Sequence, residues 1–97
     1  MSVSDAFLDR ALHAIADPTR RRILLALKDG TAGKNRPSLC AGDVEECVRL
    51  SQPTVSHHMA ILTKAGLVEA SKKGQWRWYR RNEKAIRQVA KTLRGKL

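Results

Sequence analysis

Apolar residues recur at helical spacing in the first half of the chain and predict three helices. The first helix is predicted over residues 4–16 and the second begins at Asp17-Pro18, since an aspartate N-cap followed by proline is a typical helix start. Gly30 is predicted to end the second helix, and residues 31–39 to form a flexible basic loop. A short third helix follows in which Val44, Cys47 and Val48 share the apolar side, so that Cys47 is predicted to lie in the core.

The second half of the chain contains a fourth helix, a β-hairpin and a fifth helix. Ser51 is predicted to cap the fourth helix and Gly66 to end it. Residues 67–81 alternate around Lys72-Lys73-Gly74, a pattern typical of a hairpin, and residues 83–94 carry another helical apolar stripe.

The hairpin carries two tryptophans on one face. Trp76 and Trp78 are two residues apart and therefore share a face of the strand, with Tyr79 on the opposite face. The tryptophan pair is predicted to anchor the hairpin to the helices, and the alternative is that it lines a surface for a protein or a ligand.

This order of elements predicts the fold class: mainly α with a small β-hairpin, a winged helix-turn-helix of five helices plus a two-stranded wing. Residues 1–97 form one domain in this prediction, with the helix-turn-helix at 41–65 and the wing at 67–81. In such an arrangement the second helix of the pair enters the major groove of DNA.

Charge supports a polyanionic partner. The formal net charge is +10, and residues 71–97 hold ten Lys and Arg against one Glu, which is +9 of the total. No apolar run is long enough to cross a bilayer, so we expect no membrane partner. Two cysteines offer no disulfide framework, which predicts reduced thiols and a cytoplasmic location. An enzyme is not expected, because the sequence offers neither a glycine-rich phosphate loop nor paired carboxylates in a plausible cleft.

The fourth helix is predicted to have a core face and a polar face. At 100° per residue Val55, Met59 and Leu62 fall on one side, and His58 falls at its edge, where a partly buried or phosphate-bonding histidine is expected. Amide, imidazole and hydroxyl groups on the other side suit base edges and phosphates. The predicted DNA-binding residues are Ser51, Gln52, Pro53, Thr54, Ser56, His57, His58 and Lys64 on this helix and Lys72, Lys73 and Arg77 on the wing.

Three stretches, AIADPTRRRILLAL, LSQPTVSHHMAILTKAGLV and GQWRWYRRN, resemble the ArsR/SmtB family of bacterial winged-helix regulators over roughly residues 5–93. The resemblance implies a repressor that binds an inverted-repeat operator in double-stranded DNA as a homodimer. The dimer would form through helices 4–16 and 83–94. The interface residues expected are Phe7, Leu8, Leu12, Ile86, Val89 and Leu93.

The sequence departs from the family's metal sensors. Arsenic sensors of the family carry Cys-x-Cys at the start of the third helix, whereas here Cys40 is followed by Gly42 at the second position. Residues 83–97 contain no His or Cys of the kind that zinc sensors use there. We therefore expect no metal site and no cofactor, and leave the effector unknown; the alternative is a metal site shared across the dimer, formed by Cys40 and groups of the partner's first helix. Cys40 is a possible redox thiol, since a helix start favours a thiolate, and the alternative is an inert boundary residue.

One rival function fits the same composition. A winged helix with this charge would also suit a non-sequence-specific nucleic-acid-binding module or a protein-interaction module. The preference for one operator over random duplex separates these functions.

Overall fold

Five helices and three strands make up the part of the chain that the structure, a computed structural model, describes: residues 4–34 and 38–97, with side chains for residues 4–29 and 38–97. The elements are α1 (Asp5–Ile15), α2 (Pro18–Lys34), β1 (Leu39–Cys40), α3 (Ala41–Val48), α4 (Gln52–Lys64), β2 (Val68–Lys73), β3 (Trp76–Arg81) and α5 (Glu83–Lys96). The predicted order of helices and hairpin is confirmed.

Side-chain caps explain where three of the helices begin. Ser4 accepts a hydrogen bond from the Phe7 amide at the start of α1, at 3.2 Å. Asp17 Oδ1 accepts from the amides of Thr19 at 2.7 Å and Arg20 at 3.1 Å, so the predicted start of α2 is confirmed. Asn82 Oδ1 accepts from the Ala85 amide at 3.1 Å and begins α5.

The end of α2 differs from the prediction. The helix continues past Gly30 to Lys34, because an interior glycine costs only about 1 kcal/mol relative to alanine and does not by itself stop a helix. Residues 31–34 of the predicted loop are therefore helical, and residues 35–37 lie outside the described residues. The predicted loop also ends in a strand, β1, which is too short to show periodicity in the sequence.

The sheet contains one strand more than the predicted hairpin. Its order is β1-β3-β2, and both pairings are antiparallel. Lys73 pairs with Trp76 across a two-residue turn, Gly74-Gln75, where Gly74 adopts the positive φ of 62° that a tight hairpin turn requires of its first central residue.

Tyr79, not the tryptophan pair, anchors the hairpin. Its side chain is 5% exposed, and it lies between Leu39 on β1 and Ala70 on β2. Trp76 is 58% exposed and Trp78 is partly buried, so the predicted anchoring by these two residues is wrong. The prediction that Tyr79 lies on the face of β3 opposite Trp76 and Trp78 was correct. The register of the sheet, however, directs the face with Tyr79 toward the helices.

The core is built from residues of the helices, β1 and the hairpin. Its largest fully buried side chains are Ile23, Leu27, Leu39, Val44, Val55, Met59, Leu62, Leu67 and Val68. Cys47 is exposed, which contradicts its predicted place in the core, because α3 directs Val44 and Val48, four residues apart, inward.

Three consecutive arginines near the start of α2 donate to backbone carbonyls at the ends of other helices. Arg20 Nε donates to Ala14 O at 2.7 Å and Arg21 Nη1 to Ile15 O at 2.7 Å, both at the end of α1. Arg22 Nη2 donates to Val48 O at the end of α3, at 3.0 Å. Cations stabilise helix C-termini, so this basic cluster holds helices together.

Candidate nucleic-acid interface

The turn between α3 and α4 sets the relative direction of the two helices. Arg49 ends α3 in the left-handed conformation, with φ 56° and ψ 47°, and its amide donates to Glu45 O at 2.8 Å. Glycine usually occupies this left-handed position after a helix, but here the residue is Arg49, so no glycine in the sequence indicates the turn. On α4, Val55, Met59 and Leu62 are at most 1% exposed, so the predicted core face is confirmed.

The opposite side of α4 is exposed. We call it the polar face and define it by Gln52, Pro53, Ser56, His57, Ala60 and Lys64, all of which are exposed. Ser51 is the N-cap by backbone conformation, but its hydroxyl donates to Thr54 Oγ1 at 2.9 Å rather than capping the helix. Both residues are exposed, and no side-chain cap bonds the first turn of α4 in the described structure, a helix start of the kind that favours an anion.

His58 lies between the polar face and the core, as expected, and is partly buried. Its Nδ1 is 3.2 Å from Nη1 of Arg20, a residue that is only 7% exposed. Arg20 Nη2 also donates to His13 O at 3.2 Å, and Asp17 Oδ2 lies 3.9 Å from Nη1. A single guanidinium thus connects the end of α1, the start of α2 and the middle of α4.

Two pKa values in this network are shifted. Burial lowers the pKa of His58 below its ordinary 6.5, the positive charge of Arg20 adds to this, and Asp17 opposes it. The amide of Arg20, which donates to Asp17, lowers the pKa of that carboxyl. Because the folded chain binds a proton at His58 less readily than the unfolded chain, this site contributes full stability above pH 6.5 and loses it as the pH falls below 6.5.

The wing presents cations without acidic partners. Lys72, Lys73 and Arg77 are exposed, and in the described part of the chain none of them forms an ion pair. The neighbouring Arg80 and Arg81 are paired, with Glu69 at 3.1 Å and Glu83 at 2.8 Å. Within the wing, the charge available to an outside polyanion therefore comes from the three wing residues that were predicted to contact DNA.

The wing and α4 meet in a cleft of about 520 Å³. Gln52 and Ser56 from the polar face line it together with Trp76 and Arg77 from β3. Gln75 and Glu45 also border this cleft and were missed from the sequence, where nothing in the local pattern marks them.

The predicted dimer residues fall into two groups. Leu8 and Val89 are 5% and 4% exposed within one chain, because they already belong to its core. Phe7, Leu12, Ile86 and Leu93 are only partly buried. That these residues contact a partner chain stays a prediction.

Cys40 is partly exposed at the N-cap of α3, and its thiol donates to Asp43 Oδ2 at 3.2 Å. Its role as a redox thiol stays a prediction. Across the residues that the structure describes, no three metal-ligating side chains converge. Likewise no helix in these residues combines the length and apolar character needed to cross a membrane.

The exposed polar face of α4, the second helix of the helix-turn-helix, lies beside a hairpin with three exposed cations that form no ion pair in the described residues. This combination defines a DNA-binding protein of the winged helix-turn-helix class. A family model described as "Bacterial regulatory protein, arsR family" matches residues 17–70. The chain belongs to the ArsR family, as its sequence motifs indicated. It is a DNA-binding transcriptional regulator and not an enzyme.

Individual relatives agree with the family match. The transcriptional repressor SdpR of Bacillus subtilis is 39% identical over 75 residues, which cover 77% of this chain and 76% of that protein. The arsenical resistance operon repressor of Staphylococcus aureus is 35% identical over 86 residues, covering 89% of this chain and 76% of that protein. The structure of an ArsR-like transcriptional regulator from Rhodococcus sp. RHA1 matches with a TM-score of 0.74 at 28% identity, over 92% of this chain and 77% of that one.

Proposed function

We propose that this regulator is a repressor that binds an inverted-repeat operator as a homodimer, with α4 in the major groove and the wing on the adjacent backbone. The observation that carries the proposal is the cleft in which Gln52 and Ser56 of α4 lie beside Arg77 of the wing. Such a protein acts on chromosomal DNA, so we also propose that it works in the cytoplasm.

The chemistry of the polar face suits base recognition. A glutamine side chain bonds adenine N6 and N7 as a bidentate pair, and histidine or serine donates to base acceptors. Pro53 and Ala60 are small apolar groups of the kind that contact a thymine methyl. Lys72 and Lys73 suit phosphates, which attract lysine in any sequence.

A binding-site selection from random duplexes tests sequence-specific binding. We expect the chain to enrich one inverted repeat and to bind it at least about a thousandfold more tightly than scrambled duplex at physiological salt. A ratio near one would overturn the proposal in favour of a general nucleic-acid binder. Failure to bind any duplex would favour a protein-interaction module.

The dimer is proposed to form through the partly buried apolar residues of α1 and α5. The two helices pack together, and Lys96 pairs with Asp5 across them at 3.5 Å, so Phe7, Leu12, Ile86 and Leu93 form part of one surface. A second copy would bury this surface and so place two α4 helices on the two halves of an inverted repeat.

Leu93→Glu is expected to weaken the dimer by at least about 2 kcal/mol, because it buries an unpaired charge in the interface. Sedimentation velocity across a concentration series measures the shift toward monomer. Gln88→Glu is the matched control, since it adds the same charge to α5 at a partly buried polar position and should leave association nearly unchanged. A parent chain that stays monomeric at micromolar concentration would contradict this proposal.

A further inference from the structure

The buried guanidinium of Arg20 restricts which nitrogen of His58 carries a proton. Arginine has five N–H donors, no acceptor and a charge that it keeps at all relevant pH values. The 3.2 Å contact between Arg20 Nη1 and His58 Nδ1 is therefore a hydrogen bond only if Nδ1 is the acceptor. In a neutral imidazole with Nδ1 as acceptor, the proton must be on Nε2.

The second nitrogen of the ring is directed away from the protein network. The two nitrogens of an imidazole point in divergent directions, so Nε2 faces away from Arg20 when Nδ1 faces it. His58 is partly exposed and follows directly after His57 of the polar face, with the two ring centroids 5.5 Å apart. With α4 in the major groove, as proposed, a donor at this edge of the helix would face a phosphate rather than a base edge.

We propose that Arg20 is a positioning residue for DNA recognition: it holds His58 neutral with Nδ1 as acceptor, so that Nε2–H donates to a phosphate oxygen of the operator. This inference rests on the proposed function, because it needs α4 to lie in the major groove. It gives Arg20, the first of the three consecutive arginines, a second role besides its hydrogen bonds to the end of α1.

The charges around His58 support a neutral ring. The charged and titratable groups that face it are Asp17 and Arg20 at the start of α2 and His57 on α4, whereas α1 contributes backbone carbonyls to Arg20. A protonated ring would set an N–H and a positive charge against the guanidinium. Burial and Arg20 lower the pKa of His58 more than Asp17 raises it.

Nitrogen-15 NMR of the histidine rings tests the tautomer in the free protein. We expect the parent at neutral pH to show an unprotonated Nδ1 and a protonated Nε2 at His58. Arg20→Met removes the donor and should yield mixed tautomers and a raised pKa of His58, and Arg20→Lys, which keeps a donor, should restore the parent pattern. An Nδ1–H tautomer in the parent, or the same spectrum in parent and Arg20→Met, would overturn the inference.

Two substitutions at His58 test the contact with DNA even where an Arg20 variant fails to fold. Glutamine places its amide near the position of Nε2, whereas asparagine places it near Nδ1. His58→Asn should therefore weaken operator binding by about tenfold or more, the value of one hydrogen bond to a charged group, while His58→Gln should lose under about threefold. The control is His13→Asn, the same change at an exposed histidine of α1, which should leave binding unchanged.

The results separate this inference from the proposed function. A parent that selects no operator overturns the proposed function, and the phosphate contact with it. If the parent selects an operator, and the parent, His58→Asn and His58→Gln all bind it with the same affinity, only the present inference is overturned.

Discussion

Tyr79→Ala is expected to lower the free energy of unfolding by about 3–5 kcal/mol, the usual cost of removing a buried aromatic ring. The ring is 5% exposed and belongs to the core, where it joins the hairpin to β1 and to the helices. Its removal leaves a cavity at the point where the wing meets α4, so the wing should also lose its fixed position. Urea unfolding followed by circular dichroism measures the change.

Trp76→Ala is the control for the loss of a large aromatic side chain on the same strand. Because Trp76 is 58% exposed, its removal should change the free energy of unfolding by under about 1 kcal/mol. Equal losses in the two variants would contradict the assignment of Tyr79, rather than the tryptophan face, as the anchor of the hairpin.

Substitutions on α4 and on the wing are expected to affect DNA binding differently. Gln52→Ala or His57→Ala should cost about 1–3 kcal/mol on the preferred operator and relax the preference for one base, because in the proposed complex each side chain contacts a base edge. Lys72→Ala or Lys73→Ala should instead reduce the salt slope of binding by about one unit without changing the preferred sequence, since a lysine on a phosphate carries no sequence information.

Fluorescence anisotropy at several salt concentrations, combined with binding-site selection for each variant, measures both quantities. Lys91→Ala removes an exposed lysine from α5, away from the cleft, and serves as the control for loss of charge alone. If the α4 and wing variants change the salt slope and the preferred sequence alike, the proposed division between base recognition and phosphate contact is wrong.

Local patterns predicted the elements correctly where one face of an element is apolar and the other is polar. The core face of α4 follows from Val55, Met59 and Leu62 because their spacing alone places them on one side of a helix. The start of α2 follows from Asp17-Pro18 because the cap bonds span only three residues.

Two predictions were wrong because the local pattern did not decide which residues of an element face the core. Val44, Cys47 and Val48 all suit the inner side of α3, and only packing turned Cys47 outward. The strand β3 carries aromatic residues on both faces, so alternation identified the faces but not their direction. The strand β1 pairs with a segment about forty residues away, and no local signal encodes that pairing.

The sequence by itself determined the class of this protein, because helix periodicity, caps, hairpin alternation and the basic C-terminal half are all short-range features. Tertiary structure alone decided which polar groups are free to contact DNA. Arg20 and Lys72 are both cations in the sequence, yet Arg20 is buried against α1 and α4 and Lys72 is exposed on the wing. The physical reason is that a cation's role depends on the carbonyls, carboxylates or solvent that surround it, and these are brought to it by residues distant in the chain.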